Sequence, residues 1–184
     1  APEDRVATFD NDGTLWSEQP IYFQGMFIFD RIKAMAPQHP EWRDEQPFKA
    51  ALEGDLKTLA AGGMASLNKL LMTTHAGMTT DEFAVIVTDW LKTARHPRFQ
   101  RPYNELTFQP MVELIGYLQR SGFRTYIVSG GGVEFMRTWA EDAYGIPPER
   151  VIGSTIKLRY DLDNDKPVLR RLSEIEFIDD GPGK

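Results

Sequence analysis

The chain has 184 residues, enough to bury a core for one domain with a large insertion or for two small domains. It contains no cysteine, which excludes a disulfide framework, a thiolate zinc site and a cysteine nucleophile. The formal net charge of −6 argues against a nucleic-acid-binding surface, so we expect no nucleic-acid partner. No apolar run is long enough to span a bilayer, so we expect no membrane span.

The first predicted element is a short strand that ends in two carboxylates. Residues 6–9 are apolar, β-branched or aromatic, and Asp10 and Asp12 follow directly. Two carboxylates at the end of a buried strand repel one another and resist desolvation, so they need a cation or a proton. The alternative is an Asx-type turn in which Gly13 supplies a positive φ. The pattern therefore predicts a metal site, an acid–base pair or a tight turn.

This segment, from Phe9 to Leu15, resembles motif I of the haloacid dehalogenase-like (HAD) hydrolase superfamily. In that family the first Asp is the nucleophile that forms an aspartyl-phosphate, the second is the general acid and base, and Mg²⁺ joins them. The resemblance implies that Asp10 is the nucleophile and Asp12 the acid and base. It also implies that both hold Mg²⁺ and that Thr14 binds the phosphate.

The helical pattern of apolar residues predicts an all-helical insertion over residues 16–101. Four or so helices are expected, and their boundary signals are Phe23 with Pro37, Pro47, Gly62 with Gly63, and a capping box from Thr79 to Glu82. The family resemblance implies that this insertion is a cap of the C1 type, which closes over the site and restricts it to small substrates. It also implies a helical turn and a small flap at residues 16–22.

Candidate specificity residues follow from nearness to motif I in the sequence. They are Trp16, Glu18, Tyr22 and Arg31. A packing role for Trp16 and a solvated position for Glu18 are the alternatives. The three histidines each adjoin a helix end or a proline, which favours capping or surface roles. They are His39, His75 and His96.

Helices and strands alternate in the last part of the chain. The predicted elements are a helix from Pro110 to Gly122, a strand over residues 123–129, a helix from Met136 to Tyr144, a strand from Val151 and a hairpin around residues 163–165. Strand, helix and strand in this order predict an α/β domain with a parallel sheet.

Ser129 ends the second predicted strand and is followed by three glycines. A hydroxyl with exposed backbone N–H groups at a helix start suits a phosphate oxygen, although glycines after a strand are also ordinary turn residues. The segment resembles motif II of the same superfamily. Ser129 would then bind the transferring phosphoryl group, helped by the Gly130 amide.

The family also requires a lysine opposite the carboxylates and a further acidic motif. Lys184 is the preferred lysine by its distance from motif II, with Lys157 and Lys166 as rivals and a solvated terminal charge as the alternative. Asp179 and Asp180 are either a compressed fourth motif or a loop before the third. The second interpretation is favoured, and it implies a chain that lacks its last strands.

Together these features predict an α/β, Rossmann-like HAD core with a parallel sheet, formed by residues 1–15 and 102–184, and a helical cap at residues 16–101. Phosphoserine-phosphatase-like members share this layout. The expected function is Mg²⁺-dependent hydrolysis of a small phosphorylated metabolite through an aspartyl-phosphate. A catalytically impaired binding or structural domain is the alternative. A phospho-accepting signalling module fits less well, because it carries no large helical insertion.

The compartment and the oligomeric state stay open. The chain begins with Ala1 and Pro2 rather than Met, which is compatible with a removed signal peptide or with a trimmed chain. Bacterial proteins that resemble it are often exported, which favours a periplasmic location over a cytoplasmic one.

Overall fold

The computed structural model describes residues 4–184, which form a mixed α/β fold around a four-stranded sheet. In spatial order the strands are β1 (Val6–Phe9), β2 (Arg124–Gly132), β3 (Val151–Asp163) and β4 (Lys166–Phe177). The first three run parallel, and β4 pairs antiparallel with β3. The predicted α/β class with a mostly parallel sheet is therefore confirmed.

Strand β1 differs from its prediction because it is not buried. It forms one edge of the sheet, no other strand of residues 4–184 pairs with its free side, and Val6 is 45% exposed. Its register with β2 pairs Phe9 with Ile127. The next residues of both strands are therefore neighbours, and Asp10 lies at the same end of the sheet as Ser129.

The segment between β1 and β2 begins with five α-helices. They are α1 (Phe23–Met35), α2 (Phe48–Glu53), α3 (Leu56–Ala61), α4 (Gly63–His75) and α5 (Thr80–Thr93). The helix predicted after Pro47 is two helices, because Gly54 ends α2 in the left-handed conformation. The capping box of α5 is confirmed: Glu82 N donates to Thr79 Oγ1, and Thr79 N donates to the Glu82 carboxylate.

Residues 16–22 contain no helical turn, contrary to the family-based expectation. Gly13 N donates to Trp16 O, and Ser17 N donates to Leu106 O, so this segment is tied down by turn and bridge hydrogen bonds instead. Within residues 4–184, no helix is long and apolar enough to cross a membrane.

Three more helices flank the strands of the second half. They are α6 (Gln109–Arg120), α7 (Val133–Arg137) and α8 (Ala140–Tyr144). The single helix predicted from Met136 to Tyr144 is two helices, because Trp139 leaves the helical conformation at φ −140°.

The predicted hairpin is confirmed and is longer than expected. Its two-residue turn places Asn164 and Asp165 at positive φ, as a type I′ turn requires.

The main core joins the helical segment to the α/β part. Phe27 of α1 lies 5.9 Å from Phe83 of α5 and 5.4 Å from Phe135 of α7, measured between ring centroids. A second cluster lies within the helical segment and consists of Ile28, Ile32, Trp42, Phe48, Ala51 and Leu70. Helices α1 and α5 are therefore packed firmly beside the sheet. The domain boundaries at residues 16 and 101 stay a prediction.

A close backbone approach fixes the glycine loop, which consists of residues 130–132 at the end of β2. A Cβ atom on Gly153 of β3 would lie 2.6 Å from Gly131 O and 2.6 Å from Met136 Cε. Only glycine permits this distance, so Gly153 sets how closely β3 packs against the loop.

We expect Gly153→Ala to lower the free energy of unfolding by about 1–3 kcal/mol, because the backbone or Met136 must shift. Gly116→Ala in α6 is the matched control, since its Cβ would meet only the flexible Arg120 side chain. That variant should be stabilised by about 0.5–1 kcal/mol. Urea denaturation measures both, and equal effects of the two substitutions would contradict the interpretation.

Candidate active site

A cavity of about 610 Å³ lies at the carboxyl ends of β1 and β2. This is where α/β sheets usually bind their ligands. The structure brings four predicted site residues and the glycine loop to its wall: Asp10, Asp12, Ser129, Lys184 and Gly130. Thr14 is partly exposed in the motif I turn and does not line the cavity, so its phosphate-binding role stays a prediction.

Asp10 contacts a cation from the far end of the chain. Its Oδ2 lies 2.8 Å from Lys184 Nζ, and its Oδ1 accepts a hydrogen bond from Asn11 N at 2.8 Å. Burial by itself would raise the pKa of Asp10. The hydrogen bond and charge of Lys184, with hydrogen bonds from Asn11 N and Ser129, lower that pKa below its ordinary 3.8. Asp10 is therefore ionised at neutral pH.

Asp12 lies deeper and is perturbed in the opposite direction. Burial raises its pKa above 3.8, and the charges of Asp10 and Glu18 add to the effect. Trp16 Nε1 donates to Asp12 Oδ1 at 2.8 Å and partly opposes this shift. Asp12 therefore keeps a proton more readily than its neighbour. A pair of carboxyls with opposite shifts suits an acid and a nucleophile.

Trp16 holds Asp12 from the protein core rather than from the cavity. It is buried, and its ring stacks on Trp139 at a centroid distance of 4.1 Å. The packing alternative therefore fits Trp16 better than a specificity role. Glu18 packs over the turn, since a Cβ on Gly13 would lie 2.9 Å from its carboxyl carbon.

The glycine loop lies beside both carboxylates. Ser129 is buried, and its hydroxyl lies close enough to Asp10 to lower the pKa of that carboxyl. A Cβ on Gly131 would lie 3.7 Å from Asp12 Oδ2, so the loop passes close to that carboxylate. Without side chains, the backbone N–H groups of the loop can approach a ligand held between these residues.

Lys184 is the lysine that the structure places at the site. The rival Lys157 lies on the hairpin and pairs with Glu174 at 3.1 Å, and Lys166 is exposed at the start of β4. Of the two acidic candidates, Asp180 lines the cavity and Asp179 does not. Both interpretations of this pair as family motifs stay open.

A metal site made of side chains alone is absent from residues 4–184, because no three Asp, Glu, His or Cys side chains are grouped to hold an ion. The available donors are hard oxygen atoms on Asp10 and Asp12, which line the cavity. Mg²⁺ commonly takes one or two carboxylates together with water and substrate phosphate. These donors therefore fit Mg²⁺.

Three site residues were not anticipated, namely Gln24 of α1, His75 of α4 and Arg171 of β4, which all line the cavity. The expectation of a surface role was wrong for His75 and His96, which are 2% and 1% exposed. A capping role fits His96, because its Nδ1 accepts hydrogen bonds from the backbone N–H groups of Arg98 and Phe99. His75 lies on the helix face that packs against Phe27 and Phe83. The one signal available was a polar Gln24 in the first turn of α1, where its neighbours Phe23, Gly25 and Met26 are not polar.

Gln24 and His75 connect the helical segment to the glycine loop through hydrogen bonds. Gly132 N donates to Gln24 Oε1 at 2.8 Å, so the amide group of Gln24 must face His75 Nε2 at 3.0 Å. An amide group donates, and His75 Nε2 is therefore the acceptor. Its proton lies on Nδ1, which donates to Thr74 Oγ1 at 2.8 Å.

This tautomer agrees with the electrostatics around His75. Burial first, and then the charges of Arg171 and Arg31, keep the pKa of His75 well below its usual 6.5. Thr74 Oγ1 in turn donates a hydrogen bond to Leu70 O at 2.8 Å. Each donor in this series of hydrogen bonds, from Gly132 N to Leu70 O, therefore has an acceptor, and the series holds the glycine loop against α1 and α4.

Tyr22 and Arg31 were the other specificity candidates. Tyr22 lines the cavity and is 61% exposed, which places it at the opening. Arg31 does not line the cavity, but it lies close enough to His75 to influence its pKa.

Comparison with known proteins adds a family and a fold. A family model described as haloacid dehalogenase-like hydrolase matches residues 7–174. No curated protein matches the chain. The fold also resembles a protein with unknown function from Bordetella pertussis Tohama I. That structure is 15% identical, with a TM-score of 0.59 over 95% of this chain and 68% of its own.

Two further solved structures match less closely. A phosphoserine phosphohydrolase-like protein from Francisella tularensis subsp. tularensis SCHU S4 is 18% identical, with a TM-score of 0.46 over 94% of this chain. A HAD family hydrolase from Salmonella enterica subsp. enterica serovar Typhi is 18% identical, with a TM-score of 0.43 over 93%. The chain spans 64% and 45% of the lengths of these two proteins.

The raised pKa of Asp12 has a consequence for stability. A carboxyl whose pKa rises on folding binds its proton more tightly in the folded chain, so stability falls as the pH rises through the folded pKa. The amide side chain of the Asp12→Asn variant does not ionise, so this variant lacks that pH-dependent loss of stability. We expect this variant to exceed the parent in free energy of unfolding at neutral pH, with the difference vanishing below pH 3.8, the ordinary pKa.

Urea denaturation across pH, in a metal-free buffer with a chelator, measures this difference. Asp44→Asn removes an exposed carboxylate and serves as the control, with a change below about 0.5 kcal/mol expected. A loss of stability in Asp12→Asn at neutral pH would refute the assignment.

The Gln24 connection predicts a second stability effect. Gln24→Leu leaves Gly132 N–H and the buried His75 Nε2 without partners, which should cost about 1–3 kcal/mol of unfolding free energy. Gln38→Leu changes an exposed glutamine and should alter it by less than about 0.5 kcal/mol. Chemical denaturation compares the two, and an equally small effect at both positions would contradict the hydrogen-bond assignment.

Proposed function

Because this chain belongs to the haloacid dehalogenase-like hydrolase family, we propose that it is a Mg²⁺-dependent phosphatase of small phosphomonoesters, acting through an aspartyl-phosphate. The observation that carries this proposal is the grouping at the cavity. Asp10 contacts Lys184 and Ser129, while Asp12 in the same cavity has the opposite pKa shift. An ionised nucleophile beside a carboxyl whose pKa is raised suits a reaction that needs a nucleophile and a general acid.

The first step belongs to Asp10. Its ionised carboxylate attacks phosphorus in line, and the bond between phosphorus and the ester oxygen breaks as the aspartyl-phosphate forms. Asp12 donates its proton to the departing alkoxide oxygen, which leaves as the alcohol. Its raised pKa supports this role.

The second step reverses the role of Asp12. The residue, now ionised, takes a proton from a water molecule, which attacks phosphorus and releases phosphate while the Asp10 carboxylate is restored. Lys184 and the Ser129 hydroxyl lie beside Asp10 and can bind phosphoryl oxygens as charge develops there. Gly130 would add its backbone N–H.

Mg²⁺ would be held by the Asp10 carboxylate and the Asp12 backbone carbonyl, which both belong to residues that line the cavity. When bound, it neutralises charge on the phosphoryl oxygens.

A domain that binds phosphorylated ligands without turnover is the second candidate. It is favoured by one observation, the position of Lys184 and Ser129 at the cavity, where both can hold a phosphate group whether or not Asp10 reacts. Turnover by the purified chain separates the two candidates.

We expect Asp10→Asn to lower the Mg²⁺-dependent hydrolysis of an aryl phosphate by about a thousandfold or more, because the amide is a poor nucleophile. The loss should appear in kcat, measured from the release of inorganic phosphate. Quenched reactions of the parent with a labelled substrate should also trap phosphate on the protein, and the variant should trap none.

Asp165→Asn is the matched control for this experiment. It removes one carboxylate from the exposed hairpin turn, away from the cavity, and should leave kcat within about twofold. Full activity of Asp10→Asn would overturn the proposed mechanism. Phosphate binding without hydrolysis by the parent would favour the second candidate.

A further inference from the structure

A buried arginine lines the cavity and takes no part in the proposed reaction. Arg171 of β4 is 3% exposed. Its Nε donates to His75 O at 2.7 Å, and its guanidinium lies 4.0 Å from the centre of the Phe83 ring. Both contacts hold the side chain in place, but neither supplies a negative charge.

The charge of Arg171 has no acidic partner in the described part of the chain. No carboxylate lies within ion-pair distance of its guanidinium, and Nη1 has no hydrogen-bond partner. Glu134 is the one acidic residue that influences it, and Glu134 already pairs with Arg137 at 3.2 Å. A buried charge without a partner is costly, so a counter-ion at this position would stabilise the protein considerably.

A second arginine without an ion pair among the described residues lies in the same region of the structure. Arg31 of α1 also forms no ion pair among residues 4–184, and its Nε is buried without a partner. Both arginines act on His75, which stays uncharged. Burial lowers the pKa of Arg171 to about 10, which still leaves it protonated at neutral pH.

The cavity extends from Arg171 to the catalytic carboxylates. Gln24 and His75 separate Arg171 from the glycine loop, so the two polar regions are distinct. Most of the remaining wall is apolar, and it includes Ile28, Phe29, Leu67, Leu71, Val133 and Ile156. At about 610 Å³, the cavity has room for an organic group beyond the phosphate.

We propose that Arg171 binds a second anionic group, a carboxylate or a phosphate, on the organic part of the substrate. The proposal rests on the proposed function, since it assumes that the phosphoryl group of the ester lies at Asp10. The substrate class is then a phosphomonoester with a short apolar body and a second anion at its other end. The incoming anion provides the counter-ion that the protein itself does not.

Binding of phosphonates tests this subsite without relying on turnover, because their carbon–phosphorus bond is not hydrolysed here. The probes are ω-phosphonocarboxylates of increasing chain length, each compared with the alkylphosphonate of the same length by isothermal calorimetry in Mg²⁺ buffer. At the matching length we expect the carboxylate to improve affinity by about tenfold or more. Terminal bisphosphonates show whether a phosphate serves equally well.

Variants identify the residue responsible. Arg171→Met should abolish the advantage of the second anion and leave alkylphosphonate affinity within about twofold, while Arg171→Lys should retain part of the advantage. Arg159→Met removes an exposed arginine from the same hairpin and should change nothing. Replacing a buried unpaired ion with an apolar side chain is often tolerated, and thermal unfolding checks this.

The proposal is overturned if the parent does not distinguish the paired probes at any length, if no phosphonate binds, or if the advantage survives in Arg171→Met. Should Arg171→Met fail to fold, the parent comparison and Arg171→Lys still decide. Discrimination without any hydrolysis of phosphate esters would refute the proposed function and leave the anion subsite standing. Hydrolysis of phosphate esters by a parent that does not distinguish the paired phosphonates would refute the anion subsite and leave the proposed function standing.

Discussion

The contact between Asp10 and Lys184 is the interaction on which the candidate site depends. Two carboxylates follow β1 within three residues, and β1 offers them little shelter, because it is an edge strand and the Asp10 side chain is 44% exposed. A cation from the opposite end of the chain, 2.8 Å away, lowers the pKa of Asp10. Burial, and then the charges of Asp10 and Glu18, raise the pKa of the deeper Asp12, so Asp12 gives up its proton less readily than Asp10.

The helical segment has a structural part in the same site. Its helices α1 and α5 share the main aromatic core with α7, and Gln24 of α1 accepts a hydrogen bond from Gly132 in the glycine loop. The loop has no side chains of its own to fix it, so outside contacts must do so. Gln24 and His75 supply them from one side, and the close approach of Gly153 limits the loop from the other.

Charge is distributed unevenly around the cavity. The carboxylates Asp10, Asp12 and Asp180 share the region near the glycine loop with Lys184, whereas Arg171 stands in the wall without an acid of its own. In the first region the protein supplies both signs and is prepared for a phosphoryl group and Mg²⁺. Near Arg171 the one acidic residue among residues 4–184 that influences it, Glu134, pairs with Arg137, so an ion-pair partner for Arg171 is left to a ligand.

Local patterns in the sequence determined the α/β class, the hairpin turn, the capping box of α5 and the choice of Asp10, Asp12 and Ser129, because each depends on neighbouring residues or on a short motif. The choice of Lys184 came instead from its distance from motif II in the family that the chain resembles. Exposure and partners depend on packing between distant segments, and no local pattern encodes them. Tertiary structure alone therefore decided that β1 lies at an edge, that His75 is buried beside Arg171, and that Gln24 reaches the glycine loop. It also set the opposite pKa shifts of Asp10 and Asp12, since these arise from burial and from Lys184, more than 170 residues away along the chain.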